Sequence, residues 1–182
     1  MQFTETKLKG AFLVAMTKIE DHRGFFARGW CSDEFAAHNL VPTMVQLNVG
    51  FNSKKGTLRG LHYQDPPNQE AKFIRCTRGA IYDVIVDLRP GSLTRHQWFG
   101  VELSHVNALM LYAPEGFAHG YETLTDDAEM YYLTSARYAA ASARGVRYND
   151  PTFGIAWPIP LTVISDADNT WPDYVPETTS RD

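Results

Sequence analysis

The feature that most constrains the fold is a recurrence of short segments rich in Val, Ile, Phe and Tyr, separated by turns that contain Gly or Pro. Segments of this length and composition are typical of β-strands, and their repeated spacing predicts a β-sandwich or β-barrel. Ten prolines and thirteen glycines supply the turns. The predicted strands cover residues 11–16, 24–30, 43–51, 57–63, 72–78, 81–88, 97–104, 108–113, 119–124 and 128–135.

Two short helices are predicted among the strands. Ser32 is placed to cap a helix over Asp33–His38, because its hydroxyl can accept a hydrogen bond from the first turn and the acidic residues there suit the helix dipole. A second helical turn is predicted over 139–143. A chain of 182 residues is long enough for one substantial core, so we expect residues 1–182 to form a single domain with a flexible tail from about residue 173.

The charge balance argues against a nucleic-acid partner. The formal net charge is −4 and no cluster of Lys and Arg occurs, although a few arginines are enough to bind a small phosphate ligand. No apolar stretch is long enough for a membrane span, and residues 1–7 lack the apolar run of a secretory signal, so we expect a cytoplasmic protein without a membrane partner. Cys31 and Cys76 have no metal or redox spacing and are expected to be reduced, partly buried thiols.

Two segments place a histidine beside glycines within predicted strands. Leu58–Gln64 contains His62, and Pro114–Gly120 contains His119. A single histidine in a strand is usually structural, but two histidines flanked by glycine in a β-rich chain favour a functional site.

Arg59 precedes His62 by three residues, so a regular strand would direct the two side chains to opposite faces. Gly60 lies between them, and a glycine within a strand often marks a bulge or bend. We therefore predict that a bend at Gly60 turns both side chains into one pocket.

The segment Ile81–Leu88 alternates in a way that predicts a strand buried on both faces. One face carries Tyr, Val and Leu, whereas the other carries Ile and the carboxylates of Asp83 and Asp87. An aspartate on such a face either lines a cavity or is satisfied by a neighbouring strand or an arginine. The sequence leaves both roles open for Asp83.

The spacing of glycine and histidine in the two segments resembles the signature motifs of the cupin superfamily, a double-stranded jelly-roll barrel. Metal-binding cupins need a His-x-His pair and a glutamate in the first motif and a third histidine in the second. Here Gln64 stands where the second histidine would be, which leaves His62, His119 and Glu70, too few ligands for iron, manganese or zinc. We therefore predict a site with neither metal nor other cofactor, with a metal-dependent cupin oxygenase as the less favoured alternative.

Without a metal, a histidine can remove a proton from carbon only where an adjacent carbonyl stabilises the resulting enolate. A cation beside the enolate oxygen provides that stabilisation. Lys72, next to the apolar pair Phe73 and Ile74, is a candidate for this cation, and a solvated lysine at a strand end is the alternative.

Taken together, the motifs resemble those of the dTDP-4-dehydrorhamnose 3,5-epimerase family, metal-free cupins that epimerise 4-keto-6-deoxy sugar nucleotides in making activated deoxysugars. The similarity extends from about Lys7 to Pro172. It implies an all-β fold, a cupin-type double-stranded jelly-roll barrel with a few short helices. The matching blocks are residues 21–26, 46–48, 58–64, 72, 79, 83–87, 114–120, 128–132, 144–151, 154–158 and 164–168.

The resemblance implies catalytic roles for four residues. His62 would take a proton from the carbon next to the C4 ketone, and Asp168 would pair with His62 and hold its tautomer. Tyr132 would return a proton from the opposite face of the ring, and Lys72 would stabilise the enolate. Taken singly, Tyr132 could equally be a packed tyrosine and Asp168 a turn residue.

The resemblance also implies a substrate-binding set. Arg23 and Arg59 would hold the diphosphate, and Gln46 and Asn48 would lie near the nucleoside. The remaining residues predicted to contact the substrate are Phe26, Asp83, His119 and Tyr138.

Four departures from the family pattern fall on or near the nucleotide-binding part of the site. Arg28 and Ala143 stand where glutamates are usual, Ala167 replaces a basic residue, and one residue is added within 49–53. The sequence therefore leaves open whether the nucleotide is dTDP, CDP or GDP.

The sequence thus predicts an epimerase that inverts C3, C5 or both of a nucleotide-diphosphate 4-keto-6-deoxyhexose of the dTDP-4-dehydro-6-deoxyglucose type. A non-catalytic sugar-nucleotide-binding cupin is the alternative from another class. The resemblance further implies a homodimer in which the subunits exchange N-terminal strands.

Overall fold

A computed structural model gives the fold of residues 1–175. The flexible tail predicted from about residue 173 lies mostly outside these described residues. Among them, no helix has the length and apolar character that crossing a bilayer requires.

The chain forms two antiparallel sheets and a separate hairpin. The six-stranded sheet has the order β1 (Gln2–Glu5), β2 (Phe12–Ala15), β10 (Leu109–Ala113), β7 (Lys72–Arg78), β12 (Ala128–Thr134) and β5 (Gln46–Asn52). The five-stranded sheet has the order β13 (Ala143–Gly145), β6 (Leu58–Gln64), β11 (Phe117–Thr123), β8 (Ala80–Asp87) and β9 (Trp98–Ser104). The hairpin pairs β3 (Lys18–Asp21) with β4 (Gly24–Ala27).

The main hydrophobic core lies between the two sheets. Ile74 and Met130 enter it from the six-stranded sheet, and Ile85 and Tyr121 enter it from the five-stranded sheet. Burial of apolar side chains from two facing sheets is the main stabilising contribution in a fold of this kind.

A second core covers the outer face of the six-stranded sheet. The short helix α1 (Ser32–Ala37) inserts Phe35, which is fully buried and packs edge to face on Phe73 with ring centroids 5.0 Å apart. A third core covers the outer face of the five-stranded sheet, where Val84 and Phe153 pack together beneath the C-terminal segment.

Strand β8 confirms the predicted alternation. Ile81 and Ile85 belong to the central core, whereas Val84 and Val86 belong to the outer one. The same alternation directs Asp83, which is fully buried, towards the space between the sheets.

The ten predicted strands are all present, with ends that differ by a few residues. Strands β1, β3 and β13 and the helix α2 (Asp166–Asn169) were not predicted. The predicted helical turn over 139–143 is a hydrogen-bonded turn that leads into β13. The predicted cap is wrong, because Cys31 occupies the N-cap position with extended backbone and Ser32 is already the first helical residue.

Candidate active site

A cavity of about 460 Å³ opens between the two sheets. Both sheets contribute to its wall, and the turn before β13 and the C-terminal segment complete it. The residues that line the cavity are Asn48, Val49, Gly50, Arg59, His62, Tyr63, Gln64, Glu70, Lys72, His119, Tyr121, Met130, Tyr132, Tyr138, Ala143 and Trp171.

Strand β6 brings Arg59 and His62 to the same cavity because its pairing with β11 is irregular. His62 pairs with His119, but Arg59 pairs with Tyr121, so the register shifts between them. Gly60 has a φ of 112°, and a Cβ there would lie 2.7 Å from the Cα of Gly120. Only glycine fits at this position. The predicted bend at Gly60 is confirmed.

His62 and Asp168 form a close pair at the cavity wall. The distance from His62 Nε2 to Asp168 Oδ1 is 2.6 Å, and the second carboxylate oxygen accepts a hydrogen bond from the backbone N–H of Gly60 at 3.1 Å. Burial raises the pKa of Asp168, but hydrogen bonds from His62 and Gly60 and at Ser165 outweigh this effect and lower it. The ionised carboxylate therefore favours a proton on Nε2 of His62 and leaves Nδ1 as the acceptor.

The position of Asp168 depends on the short helix α2. Ser165 is the N-cap of this helix, and its hydroxyl oxygen accepts a hydrogen bond from the backbone N–H of Asp168 at 3.1 Å. The side chain of Asp168 is 8% exposed, so the helix holds a buried carboxylate against the half-exposed imidazole of His62.

Lys72 is buried in the cavity wall, which rules out the solvated lysine considered above. Its ammonium group donates a hydrogen bond to the carbonyl oxygen of His62 at 3.0 Å and lies 3.2 Å from Glu70 Oε1. Burial lowers the pKa of Lys72, and the negative charges of Glu70 and Asp83 act in the opposite direction.

His119 lies beside His62 and is held from behind by Asp83. His119 Nε2 is 2.8 Å from Asp83 Oδ1, and both side chains are buried. Within residues 1–175, Asp83 Oδ2 has no hydrogen-bond partner. Asp83 takes neither of the two roles left open: it does not line the cavity as predicted for a substrate-binding residue, and its side-chain partner is a cavity histidine and not the backbone of a neighbouring strand or an arginine.

Tyr132 enters the cavity from the sheet opposite His62. It lies on β12, and its ring centroid is 6.3 Å from that of His119. Burial raises the pKa of Tyr132, and the nearby charge of Glu70 raises it further. The phenol therefore keeps its proton around neutral pH.

Arg59 is held at the cavity by Asn52, a residue with no predicted role. Its Nε donates a hydrogen bond to Asn52 Oδ1 at 2.7 Å, and Asn52 Nδ2 donates to the hydroxyl of Tyr121 at 3.1 Å. Asn52 is 3% exposed. One terminal nitrogen, Nη2, also makes a long hydrogen bond to the carbonyl oxygen of Phe51 at 3.5 Å, so Nη1 is the terminal nitrogen best placed to serve a ligand.

Asn48 and Tyr138 line the cavity, and Gln46 contacts both of them from outside its lining. Gln46 Nε2 donates to Asn48 Oδ1 at 2.9 Å, and Gln46 Oε1 accepts from the backbone N–H of Tyr138 at 3.3 Å. Trp171, which was not predicted, packs on Gly145, where a Cβ would come within 2.2 Å of the indole.

Arg23 and Phe26 do not reach the cavity of their own chain. Both lie on the β3–β4 hairpin, where Arg23 forms an ion pair with Asp21 and Phe26 is 74% exposed. Arg28, one of the four departures, also lies outside the cavity and pairs with Glu34 at 3.0 Å.

The amide of Gln64 has a structural function at the position where metal-binding cupins have a histidine. Its nitrogen donates to the carbonyl oxygens of Asn68 and Arg137, and its oxygen accepts from the backbone N–H of Ala139 at 2.6 Å. Among residues 1–175, no group of three or more His, Cys, Asp and Glu side chains is arranged to hold a metal ion.

Comparison with protein families gives a match over residues 5–175 to the family described as dTDP-4-dehydrorhamnose 3,5-epimerase. The enzyme of that name from Sinorhizobium fredii is 39% identical over 173 residues, which cover 94% of this chain and 89% of the relative. The dTDP-4-dehydrorhamnose 3-epimerase of Streptomyces niveus is 35% identical and aligns with 92% of this chain and 81% of its own.

Solved structures give the same result. The dTDP-4-dehydrorhamnose 3,5-epimerase of Elizabethkingia anophelis superposes with a TM-score of 0.93 at 36% identity, covering 96% of both chains. The Bacillus anthracis enzyme, solved with TDP and PPi bound, gives a TM-score of 0.91 at 38% identity over 95% of this chain and 99% of that one. The 3'-monoepimerase ChmJ of Streptomyces bikiniensis, in complex with dTDP-quinovose, gives 0.85 at 35% identity over 92% and 85%. The predicted all-β, cupin-type jelly roll is confirmed.

Proposed function

Because the chain belongs to the dTDP-4-dehydrorhamnose 3,5-epimerase family, a family of sugar-nucleotide isomerases, we propose that it inverts C3, C5 or both of a nucleotide-diphosphate 4-keto-6-deoxyhexose. The observation that carries the proposal is the pairing of His62, on the five-stranded sheet, with Asp168 of helix α2. Tyr132 faces them from the six-stranded sheet, and buried Lys72 lies in the same cavity.

Proton abstraction is assigned to Nδ1 of His62. This nitrogen takes the proton from the carbon next to the C4 ketone, and the electrons of the C–H bond move onto the ketone oxygen to form an enolate. Asp168 stabilises the imidazolium that results, because its carboxylate is already hydrogen-bonded to Nε2. The ammonium of Lys72 stabilises the enolate oxygen.

Inversion requires that the new proton reach the opposite face of the carbon. Tyr132 fits this step because its phenol enters from the six-stranded sheet, whereas His62 enters from the five-stranded sheet. The phenol donates its proton to the carbon, the enolate returns to the ketone, and the tyrosinate and imidazolium then exchange protons with solvent. No redox step is needed.

Substrate binding is assigned to the cavity residues that present hydrogen-bond donors. The guanidinium of Arg59 suits a diphosphate. Asn48 of β5 and Tyr138, whose backbone N–H donates to Gln46 of β5, lie together in the cavity wall. The bound TDP and dTDP-quinovose of the two solved relatives support a nucleotide sugar as ligand. Ala143 lines this cavity where the family usually has a glutamate. Which nucleotide base the site prefers is therefore a question for the comparison of substrates.

A second copy of the chain is proposed to complete the site. The β3–β4 hairpin exposes Ile19 and Phe26, and the outer face of the edge strand β5 exposes Leu47 and Phe51. Two exposed apolar surfaces on one chain suit a symmetric interface in which each hairpin crosses to the partner. Such an exchange would bring Arg23 to the neighbouring cavity.

The dimer can be tested by size and by activity. Replacing Phe26 by Asp should give a monomer in sedimentation and raise the KM for the sugar nucleotide. Leu93 is 99% exposed on a loop outside these surfaces, so Leu93→Asp is the matched control and should leave the dimer intact. A wild-type protein that sediments as a monomer at micromolar concentration would contradict the dimer.

The catalytic proposal is tested by solvent exchange. Incubation with dTDP-, CDP- and GDP-linked 4-keto-6-deoxyhexoses in heavy water should place deuterium at C3 or C5, and the stereochemistry of the product identifies which carbons invert. Tight binding of a sugar nucleotide with no exchange at either carbon would instead favour a non-catalytic binding protein. Stoichiometric iron or manganese in the purified protein would favour the oxygenase alternative.

A further inference from the structure

Glu70 places a carboxylate in the wall of a cavity that is proposed to bind an anionic sugar nucleotide. Its side chain is 12% exposed, and Oε1 lies 3.2 Å from Lys72 Nζ. A carboxylate repels a diphosphate and therefore opposes its binding. Its presence in the wall calls for another function. The roles assigned above give no function to Glu70.

The amide of Gln64 lies against the second oxygen of this carboxylate. Glu70 Oε2 is 3.3 Å from Gln64 Nε2, whose two N–H groups are shared with the carbonyl oxygens of Asn68 at 2.8 Å and Arg137 at 3.2 Å. This amide atom is identified as the nitrogen because the other end of the amide accepts from the backbone N–H of Ala139. Gln64 is 3% exposed and is anchored on both sides by backbone groups. One oxygen of Glu70 thus faces the amide of Gln64, while the other faces Lys72.

The carboxylate opposes the loss of charge from Lys72. Burial lowers the pKa of Lys72, and the charge and hydrogen bond of Glu70 are the largest effects that raise it again, ahead of the charge of Asp83. Enolate stabilisation requires the ammonium form. Without Glu70, the buried amine would lose its proton at lower pH.

The same carboxylate opposes ionisation of Tyr132. Lys72 Nζ lies 6.0 Å from the centre of the Tyr132 ring, so Glu70, Lys72 and Tyr132 form one cluster. After burial, the charge of Glu70 is the next largest effect that raises the pKa of Tyr132, against a hydrogen bond to Asn48 and the charge of Arg59. A proton donor must still carry its proton when the enolate forms.

From this geometry we propose that Glu70 is a positioning residue that keeps Lys72 as an ammonium and Tyr132 as a neutral phenol during epimerisation. The inference rests on the proposed function. Other ionisable groups also face the cluster, and substitution of Glu70 leaves all of them in place. They are Arg59, His62, Tyr63, Asp83, His119, Tyr121, Tyr138 and, behind His62, Asp168.

The test is Glu70→Gln, which preserves shape and an acceptor for Gln64 but removes the charge. The pH profile of kcat should match wild type on the acidic side, because Lys72 and Tyr132 both carry their protons there with or without the charge of Glu70. At the alkaline end kcat should fall by about tenfold relative to wild type, while its value near neutral pH changes by less than about threefold. Glu70→Asp restores the charge and should recover part of the alkaline activity.

Glu129→Gln is the matched control. Glu129 lies on the same strand as Tyr132 but outside the cavity, where it accepts a hydrogen bond from Thr77 at 2.8 Å. Its pH profile should match wild type. A Glu70→Gln profile that superposes on wild type, or that is reduced equally at every pH, would overturn the proposal.

A second measurement does not depend on activity. The absorbance change on ionisation of Tyr132 is obtained by subtracting the titration of Tyr132→Phe from that of the parent protein, with and without Glu70→Gln. Tyr132 should ionise at lower pH once the carboxylate is gone. An unchanged titration overturns the inference. If Tyr132 ionises at lower pH in Glu70→Gln but the wild-type protein exchanges no deuterium, the proposed function alone is refuted.

Discussion

The imidazole of His62 and the carboxylate of Asp168 are 2.6 Å apart in space and 106 residues apart in the chain. The contact forms because helix α2 packs against β6, where the backbone N–H of Gly60 holds the second oxygen of Asp168. The proposed base therefore depends on the correct docking of a C-terminal segment onto the barrel.

Asp168→Asn should lower kcat by about 100-fold or more, because the amide can hydrogen-bond to the imidazole but cannot stabilise the imidazolium. Steady-state kinetics and thermal unfolding of the same samples separate catalysis from stability. Asp166→Asn is the control, since Asp166 lies on the same helix and is exposed. Equal losses in the two variants would point to damage of the helix and against a specific role for Asp168.

Tyr132→Phe separates the two proton transfers. Removal of the phenol hydroxyl should lower the rate at which epimerised product forms by about 100-fold or more. His62 can still remove a proton and return it on its own face of the ring. In heavy water the variant should therefore introduce deuterium into the substrate with retained configuration, which nuclear magnetic resonance detects.

Tyr131→Phe is the matched control for this experiment. Tyr131 is the preceding residue on β12 and faces the other side of the sheet, so its removal should leave both exchange and inversion unchanged. Inversion at the wild-type rate in Tyr132→Phe would mean that another group donates the second proton.

The parts of the structure that were predictable from sequence are those set by local pattern. Alternation along β8 places Asp83 in the interior, and Gly60 permits the bend that brings Arg59 and His62 together. Both follow from strand geometry over fewer than ten residues.

Features that depend on distant contacts were not predictable in this way. Asn52 in the edge strand β5 resembles any polar strand residue until β6 and β11 place Arg59 and Tyr121 beside it. Helix α2 has only four residues, too few for a periodic signal, and Asp168 was identified by family resemblance alone. Arg23 lies outside the cavity because of the position of the β3–β4 hairpin, and no local pattern in the sequence indicates that position.

Asn52→Ala should raise the KM for the sugar nucleotide about tenfold and leave kcat nearly unchanged. The substitution removes the acceptor that holds Nε of Arg59, and a hydrogen bond to a charged group contributes about 1.5–3 kcal/mol. Affinity should fall for a nucleoside diphosphate and stay constant for the free nucleoside, as calorimetry can measure.

Asn149→Ala is a matched control, because Asn149 accepts a similar bond from Arg147 Nε at 2.7 Å outside the cavity. It should bind both ligands like wild type. If Asn52→Ala weakens nucleoside and nucleoside diphosphate equally, Asn52 acts on the shape of the cavity and not on Arg59.

Glu122 is a fully buried carboxyl on the outer face of β11, opposite Tyr82 on β8. Within residues 1–175, neither of its oxygens accepts a hydrogen bond of ordinary geometry. Burial raises the pKa of Glu122, and the backbone N–H of Ile159 offsets this only in part. The protonated form of Glu122 is therefore favoured in the folded state over the ionised form.

Glu122→Gln should make the free energy of unfolding less dependent on pH. Because the pKa of Glu122 is raised on folding, its favourable contribution is complete below the unfolded value of about 4.5 and is lost as the pH rises through the folded value. Urea unfolding near pH 8 should therefore show the variant more stable than wild type by about 1 kcal/mol, with a smaller gain near pH 5. Glu102→Gln alters an exposed glutamate on β9 and should follow wild type at both pH values. If Glu122→Gln also follows wild type at both, the carboxyl already ionises in the folded protein without cost, and its burial does not control the alkaline stability.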